Sequence, residues 1–288
     1  MEVIRASALG MCFGVRDALE VVERIEQPGR VTIHGELVHN EEVLARLNER
    51  GFRATPEAHR AAIPASPEVL ITAHGVSDRE RRRLESAGKT LIDATCPLVT
   101  LVHEAAQRLH REGFFLIVIG RQGHVEVEGI TGDLGRFTVV QSAEEVACYD
   151  AERLGIVCQS TTPPFEAAII RQAIEARNPG KVIRFADTIC RPTRERQQAV
   201  LDLVEQVEAV VVVGGSHSNN TRQLARLAAS RGRPVLHVRN VADLDPEWFA
   251  AYRVVGLTAG TSTLDRTVDE VHRALIEMPA GVPAVSAV

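Results

Sequence analysis

The sequence predicts an α/β protein built from three similar α/β units with mainly parallel sheets, set around a pseudo-threefold axis. Three observations carry that prediction. Short Val- and Ile-rich runs alternate with amphipathic stretches along the chain, the pattern of parallel strands joined by helices. Each run ends in a small or polar loop, so the loops fall at the carboxyl ends of strands, where open α/β sheets bind ligands. One set of loop motifs then recurs three times in the same order, with a period of about 90 residues.

The first run, in "MEVIRASALGMCFGV", reads as a strand and not as a secretion signal, because Glu2 comes early and Arg5 is its one basic residue. Further strands are expected in "VLITAHG", "FLIVIG", "LGIVCQS", "AVVVVGG" and "VVGLTAG". None of these runs approaches the roughly 20 residues that span a bilayer, so a cytoplasmic protein without a membrane partner is expected. The stretch "RATPEAHRAAIPASPE", residues 53–68, reads as a loop, and the Pro-, Ala- and Val-rich end of the chain as a flexible tail. A net charge of −5 and a pI near 6.1 argue against nucleic acid as a partner. Five cysteines in 288 residues, an odd number, argue against a disulfide framework.

The recurring motifs supply the candidate chemistry. Cys12 is followed by "HGELVHN" with His39 and "TAHGVS" with His74. Cys96 is followed by "GRQGHVEVEG" with His124 and Glu126, then "CQSTT" with Ser160 and Thr161. Cys190 is followed by "GGSHSNNT" with Ser218, Asn219 and Asn220, then "TAGTST" with Ser262. The cysteines step by 84 and 94 residues, and His39, His124 and Ser218 by 85 and 94. Cys148 and Cys158 fall outside the pattern and read as ordinary loop or core thiols.

Each repeated cysteine precedes a helix-like stretch, and Pro97 suits a first helical position. A helix amino terminus favours a thiolate through its unpaired N–H groups and dipole. Structural zinc normally takes four ligands, often in close pairs; zinc stays open as an alternative, but three distant cysteines fit an iron–sulfur cluster better. Three thiolates on a cubane leave one iron open as a Lewis acid, which points to reductive or dehydrating chemistry. The His, Ser and Asn side chains of the loops suit a small phosphorylated anion. Glu126, beside His124 in that pocket, is the expected proton donor. His34, His59, His103, His110, His217, His237 and His272 read as satisfied polar residues.

Taken together and in order, "MCFGV", "LVHN", "AHGVS", "DATCPLVT", "GHVEVEG", "QST", "DTIC…RQ", "SNNT" and "TAGTS" resemble the 4-hydroxy-3-methylbut-2-enyl diphosphate reductases (IspH/LytB family) over nearly the whole chain. The resemblance implies a trefoil of three α/β units, 13–96, 97–190 and 1–12 with 191–278, followed by a flexible tail at 279–288. It implies a central [4Fe–4S] cluster on Cys12, Cys96 and Cys190. A diphosphate substrate would be bound by His39, His74, His124, Ser218, Asn219, Asn220 and Ser262. Ser160 or Thr161 would orient its hydroxyl, Glu126 would relay protons, and reduced ferredoxin or flavodoxin would supply electrons. Met11, Val125, Ser160, Asn219 and Leu264 depart from the family's usual residues, Val125 and Leu264 standing where proline is common. A cluster-bearing redox sensor without turnover is the alternative; it would not need Glu126 or the diphosphate loops. A zinc hydrolase with Glu126 as base is a third reading, and it predicts a colourless protein.

Overall fold

The computed structural model describes residues 1–279. Strand β1 (Glu2–Arg5) leads into α1 (Phe13–Glu23), β2 (Val31–Ile33), α2 (Glu41–Glu49), β3 (Arg53–Ala54), β4 (Glu68–Ile71), α3 (Asp78–Ser86) and β5 (Thr90–Asp93). There follow α4 (Pro97–Arg111), β6 (Phe115–Ile119), α5 (Val125–Thr131), β7 (Phe137–Val140), β8 (Arg153–Cys158), α6 (Pro164–Arg177) and β9 (Val182–Phe185). The chain continues with α7 (Arg191–Val204), β10 (Ala209–Val213), α8 (Asn219–Ser230), β11 (Val235–Val238), α9 (Pro246–Phe249), β12 (Val254–Ala259) and α10 (Asp265–Glu277).

The strands form three four-stranded sheets, ordered β3-β2-β4-β5, β7-β6-β8-β9 and β11-β10-β12-β1. Every pairing is parallel. All three sheets share one topology: the first two strands of each set lie in reversed order, and the third and fourth extend from the first. β1 takes the fourth place in the last sheet, so the strand that opens the chain completes a sheet whose other members lie beyond residue 208.

Parallel sheets need cover on both faces, which explains why their strands lack a polar alternation. β10, "AVVVV", is buried at every position. Val210 and Val212 enter one apolar cluster with α7 residues such as Val200 and Leu203, whereas Val211 and Val213 enter another with α10 residues such as Val268 and Val271. β6 divides in the same way, Leu116 and Val118 to one side and Ile117 and Ile119 to the other. Cys158 lies in the second of those clusters, and Cys148 is exposed.

The chain packs as two compact units. One comprises residues 1–12, 39–41 and those from 191 onward; the other comprises 13–38 and 42–190 and contains two of the sheets. The stretch 53–68 differs from the expected loop: it contributes β3 as a two-residue edge strand beside β2, a short 3₁₀ turn over Glu57–His59, and the first residue of β4. A two-residue strand has no period to read, so its pairing is set by the neighbouring β2. Apart from Pro279, the expected tail at 279–288 lies outside the described residues. No helix among the described residues is long and apolar enough to cross a membrane.

Candidate functional site

In each sheet the strand order reverses between the first and third strands, the place where open α/β sheets leave a crevice beyond their carboxyl ends. The loops after β2 and β4 carry His39 and His74, those after β6 and β8 carry Glu126 and Ser160, and those after β10 and β12 carry Ser218 and Ser262. Each fourth strand, β1, β5 or β9, leads to one of the repeated cysteines.

The three cysteines share a backbone arrangement. The N–H of Cys12 donates to the Thr261 carbonyl at 3.0 Å, that of Cys96 to Ala73 at 3.1 Å, and that of Cys190 to Ser160 at 2.9 Å. Each acceptor belongs to the loop after the third strand of a sheet, so one repeated bond seats each cysteine. Each is followed directly by a helix (α1, α4 and α7), and Cys96 is the N-cap of α4 with Pro97 next in line. All three are partly exposed, and none of the five cysteines, which all lie among the described residues, is in a disulfide. Gly14 packs so closely against Cys96 that a Cβ there would collide with its Sγ, so the glycine makes room for the thiol itself. Among the described residues no three His, Cys, Asp or Glu side chains gather as ligands of a single metal ion.

In the unit that holds Cys96 and Cys190, Glu126 is 2 % exposed in the first turn of α5. Its Oε1 accepts the backbone N–H of Ser160 at 2.7 Å, and the Ser160 carbonyl is the acceptor for Cys190. A single residue of backbone therefore joins the buried carboxylate to a cysteine. His124 caps α5, its Nδ1 accepting the N–H of Glu126 at 3.1 Å. With Nδ1 accepting, a neutral ring carries its proton on Nε2 and offers it as a donor. The His74 ring stands edge-on to His124 with centroids 5.7 Å apart. Val125 occupies the first helical position, where proline is equally at home; with His124 capping and Ser160 bonding, Glu126 remains in place. Thr161, partly exposed, follows Ser160.

In the unit that holds Cys12, Ser218 caps α8 by accepting the N–H of Thr221 at 3.3 Å. Asn219 and Asn220 form the first turn and are buried. Asn220 Oδ1 accepts the N–H of Thr261 at 3.0 Å, while its Nδ2 is buried with no hydrogen-bond partner. The short segment 39–41 is stitched to the same loops. Ser262 Oγ donates to the His39 carbonyl at 3.0 Å, and Asn40 Nδ2 donates to the Ser262 carbonyl at 2.8 Å. Glu41 Oε1 accepts both the N–H and the hydroxyl of Ser216, at 3.0 and 2.6 Å. Burial pushes the Glu41 carboxyl up, but the bonds from Ser216 overcome it and hold it below the usual range. His39, Ser218, Asn219, Asn220 and Ser262 are thus gathered in one unit, and His74, His124, Glu126, Ser160 and Thr161 belong to the other.

Asn40 and Glu41 are structural supports of these loops that sequence reading did not single out, although "LVHN" contains the first. Gln159 is another: it is fully buried, its Oε1 accepts the N–H of Arg121, and its Nε2 has no partner. Its signal was its place at the end of β8 beside Ser160. His34 is buried with Nε2 2.9 Å from Glu80 Oε1. Burial, then the Arg60 charge, lowers its pKa, as suits a neutral core histidine.

The sequence profile of the LytB protein family matches residues 3–276. The chain belongs to that family. Among LytB relatives, 4-hydroxy-3-methylbut-2-enyl diphosphate reductase of Methylibium petroleiphilum is 39% identical over 276 residues, covering 94% of this chain and 83% of its own. The fold is similar to the solved E-1-hydroxy-2-methyl-but-2-enyl-4-diphosphate reductase of Plasmodium falciparum, with a TM-score of 0.89 at 26% identity over 98% of this chain and 90% of that one. A solved (E)-4-hydroxy-3-methyl-but-2-enyl diphosphate reductase, described as the terminal enzyme of the non-mevalonate pathway, gives a TM-score of 0.66 at 33% identity, covering 96% of this chain and all of that one.

Proposed function

We propose that this chain reduces 4-hydroxy-3-methylbut-2-enyl diphosphate to isopentenyl and dimethylallyl diphosphate by two-electron reductive dehydroxylation, the last step of the non-mevalonate isoprenoid pathway. Membership of the LytB family supports the reaction. The observation that carries the chemistry is the short backbone path from the buried Glu126 carboxylate through Ser160 to Cys190. The three α/β units of this reading are 13–96, 97–190 and 1–12 with 191–278.

The group the reaction requires is a [4Fe–4S] cluster on Cys12, Cys96 and Cys190. The residues fit it: three partly exposed thiols precede helices whose amino termini favour thiolate, and Gly14 makes room for the Cys96 thiol. When bound, the cluster supplies electrons and an iron without a cysteine ligand.

The chain's own residues bind, orient and protonate. His39, His74, His124, Ser218, Asn219, Asn220 and Ser262 hold the diphosphate. Among them the Nδ2 of Asn220 is buried with no hydrogen-bond partner, a donor that an anion can engage without breaking the bond from Thr261 to the same side chain. Ser160 or Thr161 orients the substrate hydroxyl. Glu126 delivers the proton with which that hydroxyl leaves as water, and a second proton goes to the allylic carbon skeleton. Two electrons and two protons enter, the C–O bond breaks, and one water departs. Reduced ferredoxin or flavodoxin is the electron donor, and the cytoplasm the site of action.

Iron and sulfide analysis with Mössbauer spectra of anaerobic protein, before and after addition of the hydroxylated diphosphate, tests the reading. One iron of a [4Fe–4S] cluster should change its signal with substrate, and turnover should follow addition of reduced donor. A cluster indifferent to the diphosphate would instead identify a sensor.

A further inference from the structure

The three cysteines end loops of different length. The connection before Cys96 spans residues 94–96, that before Cys190 spans 186–190, and that before Cys12 spans 6–12. Each of the two shorter loops is anchored through a threonine of its own. Thr95 donates its hydroxyl to Asp93 and accepts from Arg81 Nη2 at 3.2 Å. Thr188 Oγ1 donates to the Cys158 carbonyl at 2.6 Å and accepts the Cys158 N–H at 2.8 Å.

In the longest loop the anchoring side chain comes from another element and grips a backbone carbonyl. Arg196, 6 % exposed on α7, donates from Nε and Nη2 to the Gly10 carbonyl at 3.0 and 2.8 Å, and from Nη1 to the Pro192 carbonyl at 3.1 Å. Gly10 adopts φ +73° two residues before Cys12, a turn that glycine alone makes without strain. Its own N–H donates to Ala259 at 3.2 Å. Both sides of the Gly10 peptide are thereby held, and a guanidinium fork is the group that can fix one carbonyl with two parallel bonds.

We propose that Arg196 is the positioning residue for Cys12, holding the longest cysteine loop in the shape that presents its thiol. The proposal rests on the reading of Cys12 as a cluster ligand. It assigns to Arg196 a role toward one cysteine and not toward the fold as a whole, which makes it separable by experiment.

The test compares anaerobic holoenzyme of the natural sequence with Arg196→Lys and Arg196→Gln. Lysine keeps the charge but not the fork, and so retains folding if glutamine does not. Iron is extracted with a chelator in the presence of iodoacetamide, and alkylation of each cysteine is followed by mass spectrometry. Iron should leave the Lys variant about tenfold faster, equivalent to ~1.4 kcal/mol and close to the lower end of what one charge-assisted bond contributes. Cys12 should be alkylated ahead of Cys96 and Cys190, and the thermal midpoint should move little. Unchanged extraction, or parallel alkylation of all three cysteines, overturns the assignment while leaving the cluster reading intact. Absence of any cluster in the unsubstituted protein overturns the reading on which both rest.

Discussion

The loops around Glu126 and those around Asn220 treat their polar groups in opposite ways. Glu126 is buried with its carboxylate bonded to Ser160, and the histidine before it spends one ring nitrogen on capping α5. Asn220 is equally buried, but only its Oδ1 is engaged, and its Nδ2 has no partner. A buried amide N–H without a partner costs on the order of 1–3 kcal/mol, a cost that an arriving anion removes. The difference teaches that the first region holds its carboxylate with a backbone bond, whereas the second leaves one buried amide donor unengaged.

Substitutions that preserve one feature and remove the other sharpen this contrast. The largest effect is expected from Glu126→Gln, which can still accept the Ser160 N–H but carries no acid proton. Turnover should fall by about 10²–10⁴-fold with iron content and unfolding midpoint unchanged; full turnover would remove the proton-donor role. Next comes Asn220→Asp, which keeps an acceptor for Thr261 and replaces the spare donor with a negative charge. Diphosphate affinity should drop by roughly 10–100-fold, as for a lost bond to a charged group, and equilibrium titration would show it.

His124 separates capping from binding. Asparagine is a good N-cap, so His124→Asn should retain stability yet weaken diphosphate binding by about tenfold, whereas His124→Ala should lose a further ~1 kcal/mol of stability with the cap. Denaturation and binding curves on both variants decide it. If the Asn variant binds as tightly as the natural residue, the ring faces elsewhere.

The smallest effect concerns stability alone. His34 has its pKa lowered below 6.5 by burial and then by Arg60, so below 6.5 the unfolded chain binds a proton that the folded chain resists. Its contribution is fully present above 6.5 and is lost as pH falls from 6.5 through the lowered folded-state pKa. His34→Gln should flatten this acid slope in unfolding free energy; an unchanged slope would assign it to other groups.

Much of the fold was legible because its central strands are buried on both faces, and continuous Val and Ile runs such as "AVVVV" announce that without an alignment. The cysteines were legible as helix starts because Pro97 and the apolar spacing after each mark an amino terminus. What escaped notice depended on partners remote in sequence. β3 is too short for a period, and Asn40 and Glu41 acquire their role only from bonds to Ser262 and Ser216. Val125, where proline is common in the family, proves compatible with the site because a first helical residue needs no N–H partner within the helix.

By itself the sequence determined three repeated α/β segments, the cysteines that open a helix in each, and the polar loops at strand ends. These follow from local rules: side-chain periodicity, helix-start chemistry and spacing along one chain. The tertiary structure alone decided that β1 completes the last sheet, that segment 39–41 packs with the chain beyond residue 190, that Glu126 meets Ser160, and that Arg196 grips Gly10. Those pairings join residues tens to hundreds of positions apart, where hydrogen-bond geometry and burial, and not local pattern, select the partner.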